Sequence, residues 1–318
     1  MKIAAIDFGT NSTRLLIADC TDHNGMVSVK PVERKTSITQ LGSTLHSSRL
    51  IEHESIEKTK QCLETYAGLI SKHKVTAVYS VATSVFRDAL NSIQVKTDFE
   101  HIIGSPITLL SGEEEARLMY AGITANRSID KNAPVLCLDI GGGSCELVYA
   151  VGNKIYTEMS LPIGCLRTKK QFWKSEPPSM EDIDRFMNHI KNTIPDTLID
   201  TAGNSHLFFA FGGTVTSLGL ICKKLDVNHI DKLEGAILHR SEIQIFLDDI
   251  TTLTEQDIAG KYANYLDNGR ETVIRSGSII FAAIMDILGK PQAVITNQGI
   301  LSGVIITQYN TLKNHLKR

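Results

Sequence analysis

The sequence has little of what marks disulfide-bonded, nucleic-acid-binding or membrane proteins. Its six cysteines include no CxxC pair and no His/Cys ligand spacing, which argues against a disulfide framework and against zinc. The formal net charge is −2, so there is no excess of Lys and Arg to neutralise a nucleic acid. The most apolar stretch, Ser278 to Leu288, contains Asp286 and is far shorter than the roughly 20 residues of a membrane span. Because Asp7 follows the start too closely for a signal peptide, the sequence predicts a cytoplasmic protein.

Length and composition indicate a globular chain with two domains. The 318 residues are 42% hydrophobic and 21% charged, enough apolar side chains for a core in each half. Residues 126–134 are polar and end in proline, which predicts a domain boundary. The first domain is therefore predicted at 1–125 and the second at 126–318, with an insertion at about 227–290. The C-terminal helix is assigned to the second domain, from which it can pack across the hinge.

One glycine-rich motif occurs twice in the chain. Residues 6–18 read Ile-Asp-Phe-Gly-Thr-Asn-Ser-Thr-Arg-Leu-Leu-Ile-Ala, and residues 138–150 read Leu-Asp-Ile-Gly-Gly-Gly-Ser-Cys-Glu-Leu-Val-Tyr-Ala. A strand that ends in Asp and continues as Gly-x-x-Ser presents successive backbone N–H groups that can surround an anion. One such turn is equally consistent with a plain hairpin. Two copies at matched positions favour phosphate binding.

The hydrophobic patterns around the two copies predict the same order of elements, namely three strands, helix, strand, helix, strand, helix. Strands are predicted at 3–6, 14–18, 26–32, 75–81 and 107–110, then at 135–138, 145–151, 154–160, 207–211 and 293–296. This doubled order is that of the actin-like, ribonuclease-H-like fold, an α/β fold of two duplicated domains with an interdomain cleft for a phosphate-containing ligand. Fold alone leaves kinase, chaperone, filament protein and phosphohydrolase open.

Two segments at predicted strand ends in the first half carry candidate catalytic residues. Arg87 offers bidentate recognition of phosphate oxygens and can stabilise developing charge, although a surface pair with Asp88 is the alternative. Ser111 and Glu114 predict a capping box, which occupies the Glu114 carboxylate. Glu115 lies about 100° further around that helix and becomes the candidate general base. The alternative is that these acids only stabilise a helix start.

The second half adds candidate metal and phosphate ligands. Glu146 leaves the second glycine turn on a strand and is expected to hold a metal with Asp139, the alternative being a solvent-facing charge. Hard carboxylate oxygens beside phosphate imply Mg²⁺ or Mn²⁺. The Gly213-Thr214 pair follows a strand and opens a helix, a place for an anion or simply a tight turn.

Together these motifs resemble the exopolyphosphatase and guanosine pentaphosphate phosphatase (Ppx/GppA) family in its short two-domain form. Five motifs in the family's order carry the resemblance over essentially the whole chain, and they begin at Ile6, Thr83, Ser111, Asp139 and Leu161. The resemblance implies hydrolysis of a terminal phosphate by a base-activated water with a divalent metal. It assigns catalysis to Glu115 and the metal to Asp139 and Glu146. Phosphate contacts carry over to Asn11, Ser12, Arg14, Arg87, Gly142, Gly143, Ser144, Gly213 and Thr214.

The sequence departs from the family pattern at two places and leaves the substrate open. The family's Gly-Leu-Arg-Glu-Gly is Gly-Ile-Leu-Ser-Gly at 299–303, and its Leu-Pro-Gly is Arg-Ser-Gly at 275–277. Inorganic polyphosphate is the expected substrate, and guanosine pentaphosphate is the alternative. A non-catalytic actin-like regulator that binds phosphate or nucleotide, and a sugar or acetate kinase, are the other classes considered. A homodimer is expected by analogy only.

Overall fold

The structure, a computed structural model, describes residues 1–23, 26–125, 127, 129–130, 132–202, 205 and 207–316. The chain forms two compact units. The first comprises Met1–Ser128 and Gln298–Arg318, and the second comprises Ile129–Asn297. The predicted boundary segment, 126–134, lies partly outside the described residues.

The first unit contains a five-stranded mixed sheet in the order β3-β2-β1-β4-β5. Strands β1, β2 and β3 are antiparallel neighbours, while β4 and β5 run parallel to β1. The strands are β1 (Lys2–Phe8), β2 (Thr13–His23), β3 (Met26–Ser37), β4 (Ala77–Ala82) and β5 (Ile107–Leu109). The helices are α1 (Leu45–Ser48), α2 (His53–Lys72), α3 (Ser84–Asp88), α4 (Ser92–Ile103), α5 (Gly112–Thr124) and α13 (Ile300–Leu316).

The central strand β1 is buried on both faces, which explains why its sequence is almost continuously apolar. Its side chains alternate between two cores. Ala4, Ile6 and Phe8 pack in one core with α2 and α4, and Ile3 and Ala5 pack in another with α13. Asp7, at the carboxyl end of the strand, shares the second face by the same alternation.

The second unit contains a six-stranded sheet in the order β10-β11-β9-β6-β7-β8. Its strands are β6 (Pro134–Ile140), β7 (Cys145–Val151), β8 (Lys154–Leu161), β9 (Leu207–Phe211), β10 (Ile237–His239) and β11 (Gln292–Ile295). Its helices are α6 (Cys165–Phe172), α7 (Met180–Thr193), α8 (Asp196–Ala202), α9 (Gly213–Lys223), α10 (Arg240–Ile250), α11 (Glu255–Lys261) and α12 (Glu271–Ile287), with a 3-10 helix at Val227–Leu233.

The two sheets share one topology, which confirms the duplicated actin-like fold. Strands β8, β7, β6, β9 and β11 repeat the order and directions of β3, β2, β1, β4 and β5. The extra edge strand β10 comes from the predicted insertion and pairs antiparallel with β11. Helices α4 and α6 were not among the elements predicted from the sequence.

The last helix, α13, packs in a different unit from the domain to which the sequence assigns it. Residues 298–318 were assigned to the second domain, but α13 packs within the first unit. Its buried side chains Ile300, Val304 and Ile305 cover the sheet face that also contains Ile3 and Ala5. An apolar pattern shows that a helix face is buried but does not show against which sheet, so the sequence alone does not assign this helix to a unit. None of the helices that the structure describes combines the length and the apolarity required to cross a membrane.

Candidate active site

The two glycine turns have the same backbone geometry. In the first, the Gly9 amide donates to the Ser12 carbonyl at 3.0 Å, and in the second the Gly141 amide donates to the Ser144 carbonyl, also at 3.0 Å. Each turn joins two antiparallel strands, and the preceding aspartate lies one residue before the end of its strand. The sequence repeat therefore corresponds to a repeated local structure.

The residue opposite the aspartate differs in charge between the two copies. Asp7 pairs across the ladder with Arg14, whose Nη2 and Nε donate to Asp7 Oδ2 at 2.6 and 2.9 Å. Asp139 pairs at the equivalent position with Glu146. Directly opposed residues of an antiparallel pair lie on the same sheet face, so the second copy places two carboxylates where the first has an ion pair.

Asp139 and Glu146 fit a hard divalent cation. Both are buried, with 6% and 1% exposure, and Glu146 Oε1 accepts a hydrogen bond from Ser160 Oγ at 2.8 Å. Two buried carboxylates on one face repel each other, and a cation relieves that repulsion. No group of three or more His, Cys, Asp or Glu that could hold a metal occurs in the described part of the chain. Magnesium in phosphate sites is usually held by one or two carboxylates together with phosphate oxygens, so two acids suffice.

Glu115 and Arg87 meet at the carboxyl edge of the first sheet. Ser111 and Glu114 form the predicted capping box, with the Ser111 amide donating to Glu114 Oε2 at 2.8 Å and the Glu114 amide donating to Ser111 Oγ at 3.1 Å. Glu115 is 9% exposed, and its Oε2 lies 3.3 Å from Arg87 Nη1. Arg87 Nη1 also donates to the Leu110 carbonyl at 2.6 Å, which fixes the guanidinium beside the end of β5.

The first glycine turn lies at the same sheet edge. It follows β1, whereas Arg87 follows β4, the parallel neighbour of β1. Thr10 Oγ1 and Ser84 Oγ are 2.8 Å apart and join the two loops. The Asn11 side chain is 4% exposed, and neither Nδ2 nor Oδ1 has a hydrogen-bond partner within the described ranges. An unsatisfied buried amide is costly, so a polar ligand at this position would be favoured.

The second turn is held from one side by α6. The Cys165 amide donates to the Gly141 carbonyl at 2.9 Å, and the Leu166 and Arg167 amides donate to the Gly142 carbonyl at 2.9 and 3.0 Å. With the carbonyls engaged, the amides of residues 142–144 donate no backbone hydrogen bond among the residues described. Successive amides without a backbone acceptor are groups of the kind that bind anions in proteins.

The turn at Gly212 and Gly213, between β9 and α9, lies next to Asp139 and Arg270. Gly212 has φ +100°, a conformation that side chains rarely adopt, and a Cβ there would overlap Asp139 Oδ1. Gly213 opens α9, and a Cβ on it would lie 2.5 Å from Arg270 Cζ, so the buried guanidinium rests on this backbone. A helix N-terminus and a guanidinium both favour an anion. The Thr214 side chain is fully buried against Gly277.

The two cysteines beside the second turn are protonated thiols rather than nucleophiles. Burial raises the pKa of Cys145 well above its ordinary value, and the negative charges of Glu146 and Asp139 raise it further. Burial also raises the pKa of Cys165 to about 11, despite the nearby positive charge of Arg270. Because the thiolate is the reactive form, neither residue is suited to nucleophilic catalysis at neutral pH.

Each predicted site residue thus lies at the carboxyl edge of a sheet, within its own unit. The first unit brings together Asn11, Ser12, Arg14, Arg87 and Glu115, and the second brings together Asp139, Gly142, Gly143, Ser144, Glu146, Gly213 and Thr214. Sequence reasoning missed Arg270 and Ser160 because neither lies in a glycine motif. Strand pairing places Ser160 directly opposite Glu146, and a register prediction for β7 and β8 would have found it.

The departure at 275–277 proves to be structural. Arg275 is 3% exposed, and its Nη2 donates to the Ile250 carbonyl at 2.9 Å. Ser276 Oγ donates to the Cys165 carbonyl at 2.8 Å, which attaches α12 to the first residue of α6. The residues that replace the family's Leu-Pro therefore hold helices around the second turn.

Comparisons with known proteins agree over nearly the whole chain. The model of the Ppx/GppA phosphatase family matches residues 16–312. The bifunctional 3-dehydroquinate synthase/phosphatase of Fusobacterium nucleatum is 30% identical over 95% of this chain, which spans only 46% of that protein. Exopolyphosphatase 2 of Mycobacterium tuberculosis is 27% identical over 96% of this chain and 98% of its own length. The solved Aquifex aeolicus PPX-GPPA enzyme is 27% identical, with a TM-score of 0.78 over 96% of this chain and 99% of that one.

Fold, site and comparisons together define the class, a phosphatase built on the duplicated actin-like fold. Within that class, the chain belongs to the Ppx/GppA phosphatase family. Membership supports an enzyme that hydrolyses phosphoanhydride bonds, with polyphosphate or a guanosine polyphosphate as the substrate class.

Proposed function

We propose that the chain is an exopolyphosphatase, which hydrolyses the terminal phosphoanhydride of inorganic polyphosphate and releases orthophosphate with a divalent metal. The observation that carries the proposal is the buried Glu115 carboxylate held beside Arg87 at the carboxyl edge of the first sheet. Hydrolysis of a phosphoanhydride requires a group that accepts a proton from water and cations that stabilise the oxygens of the phosphoryl group. Glu115 would supply the proton acceptor, and Arg87 would supply a cation.

Glu115 is assigned as the general base because it is the acid at the start of α5 that is buried beside Arg87. Glu114 is occupied by the cap, and Glu113 is exposed. Arg87 orients the Glu115 carboxylate and stays bound to the Leu110 carbonyl. In the proposed reaction, Glu115 removes a proton from the attacking water while Arg87 stabilises charge on the phosphoryl oxygens.

The glycine turns and the start of α9 are assigned to phosphate binding. The amides of residues 142–144 and of Gly213 and Thr214 would donate to phosphate oxygens, with Arg270 adding positive charge beside them. The unsatisfied Asn11 amide and the Ser12 hydroxyl are proposed as the phosphate-binding groups of the first glycine turn. Arg14 is assigned to the same turn, where it also neutralises Asp7.

Asp139 and Glu146 are assigned to Mg²⁺ or Mn²⁺, with Ser160 orienting Glu146. When bound, such an ion would neutralise phosphate oxygens and help to align the scissile bond. The protein side chains position the phosphate, exclude competing water and accept the proton, which are the main requirements of phosphoryl transfer.

Polyphosphate is proposed as the substrate because Exopolyphosphatase 2 of Mycobacterium tuberculosis is similar over nearly its entire length. Guanosine pentaphosphate presents the same terminal phosphate chemistry and is the principal comparison substrate.

The test is orthophosphate release by the purified chain with Mg²⁺ or Mn²⁺ from short polyphosphate, long polyphosphate and guanosine pentaphosphate. We expect Glu115→Gln to lower kcat by about 10²- to 10⁴-fold with little change in KM, the usual contribution of a general base. Glu114→Gln is the matched control, because glutamine also completes a capping box and leaves Glu115 in place. Equal rates for wild type and Glu115→Gln would disprove the mechanism, and release from guanosine pentaphosphate alone would reassign the substrate. No release from any of the three would favour a non-catalytic role.

A further inference from the structure

Helices α5 and α13 touch through their backbones. A Cβ on Gly122 of α5 would overlap the Gly299 carbonyl oxygen and would lie 2.9 Å from the Gly303 amide nitrogen. A Cβ on Gly303 of α13 would overlap the Leu118 carbonyl oxygen and would lie 2.6 Å from the Leu118 carbonyl carbon. Real Cβ atoms do not approach backbone atoms so closely. The two helices can therefore keep this distance only while both positions are glycine.

The contact lies on the face of α5 that carries Glu115. Glu115, Leu118 and Gly122 are at positions i, i+3 and i+7, which fall on one side of an α-helix. Leu118 lies about 4.5 Å along the helix axis from Glu115. An α-helix this short moves as a rigid rod, so a displacement at Leu118 also moves Glu115.

Arg87 would not follow such a displacement. Its guanidinium is bound to the carbonyl of Leu110, which precedes α5 at the end of β5. The Leu110 amide in turn donates to the Ala82 carbonyl at the end of β4, so this anchor belongs to the sheet. A shift of α5 would therefore change the distance between Arg87 Nη1 and Glu115 Oε2, which is 3.3 Å.

We infer that Gly303, together with Gly122, positions Glu115 against Arg87. The inference rests on the proposed function for its catalytic consequence. The overlap is with the backbone of Leu118 rather than with a side chain, so no rotamer change can relieve it. A methyl group at Gly303 must therefore push α5 and α13 apart, and this changes the position of the base relative to the arginine and to the attacking water.

Gly303→Ala tests this inference, with kcat and KM measured on polyphosphate. We expect kcat to fall about 30- to 100-fold with KM changed by less than about twofold, because misplacement of a catalytic group affects the chemical step more than binding. Gly122→Ala should behave in the same way.

Two control variants distinguish an effect on the position of Glu115 from an effect on the stability of the fold. Gly68→Ala, in the interior of α2, meets no neighbouring atom within 4 Å and should retain full activity. Val95→Ala, on the buried face of α4, should lower the melting temperature without changing kcat at temperatures where the protein is folded. A structural role alone would make Gly303→Ala resemble Val95→Ala.

A crystal structure of Gly303→Ala supplies a second readout that does not depend on activity. We expect α5 to be displaced and the distance from Arg87 Nη1 to Glu115 Oε2 to differ from 3.3 Å. An unchanged distance, or kcat within about twofold of an active wild type, would overturn the inference. An inactive wild type would instead reject the proposed function, and the crystallographic distance would still decide the inference.

Discussion

The charge of one residue distinguishes the two glycine turns. Asp7 and Asp139 occupy equivalent positions, but the opposing residue is Arg14 in the first copy and Glu146 in the second. In the first copy the Arg14 guanidinium supplies the positive charge, and the Asp7–Arg14 ion pair stabilises the turn. In the second copy the two acids fit an external cation. The two turns therefore share a backbone geometry but differ in charge, because one carries an ion pair and the other carries the two carboxylates that we propose as metal ligands.

Arg14→Met is expected to destabilise the first unit by about 3–5 kcal/mol, because it leaves the fully buried Asp7 carboxylate without its ion-pair partner. The double variant Asp7→Asn, Arg14→Met should recover part of this loss, since the buried charge is then removed. Urea denaturation of the three proteins measures the difference. Lys35→Met is the control for an exposed pair, Lys35–Glu33, and should cost less than about 1 kcal/mol. A double variant no more stable than Arg14→Met would contradict this account.

Several helices begin with a side chain that binds the first backbone amides of the helix. Capping boxes begin α5, α7 and α11, in each case a Ser or Thr with an acid three residues later. The box at α5, which the sequence predicts, engages Glu114 and not Glu115, the proposed general base. The start of α10 has a related arrangement, in which Glu242 binds the His239 amide and also Lys223 of α9.

Glu242→Gln should reveal a pH-dependent contribution to stability. Burial alone would raise the pKa of Glu242, but hydrogen bonds from the His239 amide and Lys223 outweigh it and lower the pKa below its usual value. A lowered folded-state pKa stabilises the protein above the unfolded value of about 4.3, and this contribution is lost as the pH falls through the folded value. The melting temperature of Glu242→Gln should therefore be lower than that of wild type at neutral pH, and the two should converge under acid conditions.

Melting curves from neutral to acid pH measure this difference. Asp248→Asn, further along the same helix and bonded to the exposed Gln244 amide, is the control and should show a much smaller change. A gap between Glu242→Gln and wild type that stays constant into acid would show that charge is not the cause.

The first unit contains both the N-terminal part of the chain and the last helix, α13. Side chains of α13 fill the core formed by Ile3, Ala5 and Leu16. Lys313 also forms an ion pair with Asp22 on β2. The first unit is therefore built from two distant segments of the sequence, and its α5, with Glu115, depends on the second of them.

Truncation after Asn297 should unfold the first unit and leave the second folded. It removes Ile300, Val304 and Ile305, each of which contributes roughly 1.5–3 kcal/mol by burial, and it exposes the sheet face beneath them. Hydrogen exchange should show rapid exchange in β1 and α5, with protection retained in β6 and β9. A matched truncation that removes only residues 314–318 should leave both units protected. Protected β1 amides in the longer truncation would refute the prediction.

Much of the fold could be predicted because the chain repeats itself. Matching Asp-x-Gly-x-x-Ser turns and matching orders of apolar segments led to the correct fold class, with two duplicated actin-like units. Helix α4 was missed because its pattern follows a short helix closely, and only Val95 and Phe99 in it are buried. The polar helix α6 was missed because it is short and has few buried positions.

Local sequence decided which side chains end the strands and how the helices begin, since turns, caps and alternation depend on neighbours within a few residues. It therefore placed Glu115, Arg87, Asp139 and Glu146 at sheet edges. Only the tertiary structure decided that α13 packs on α5, that Arg270 lies on Gly213, and that Ser160 bonds Glu146. These contacts join residues far apart in sequence, and their geometry depends on close packing, which no local pattern encodes.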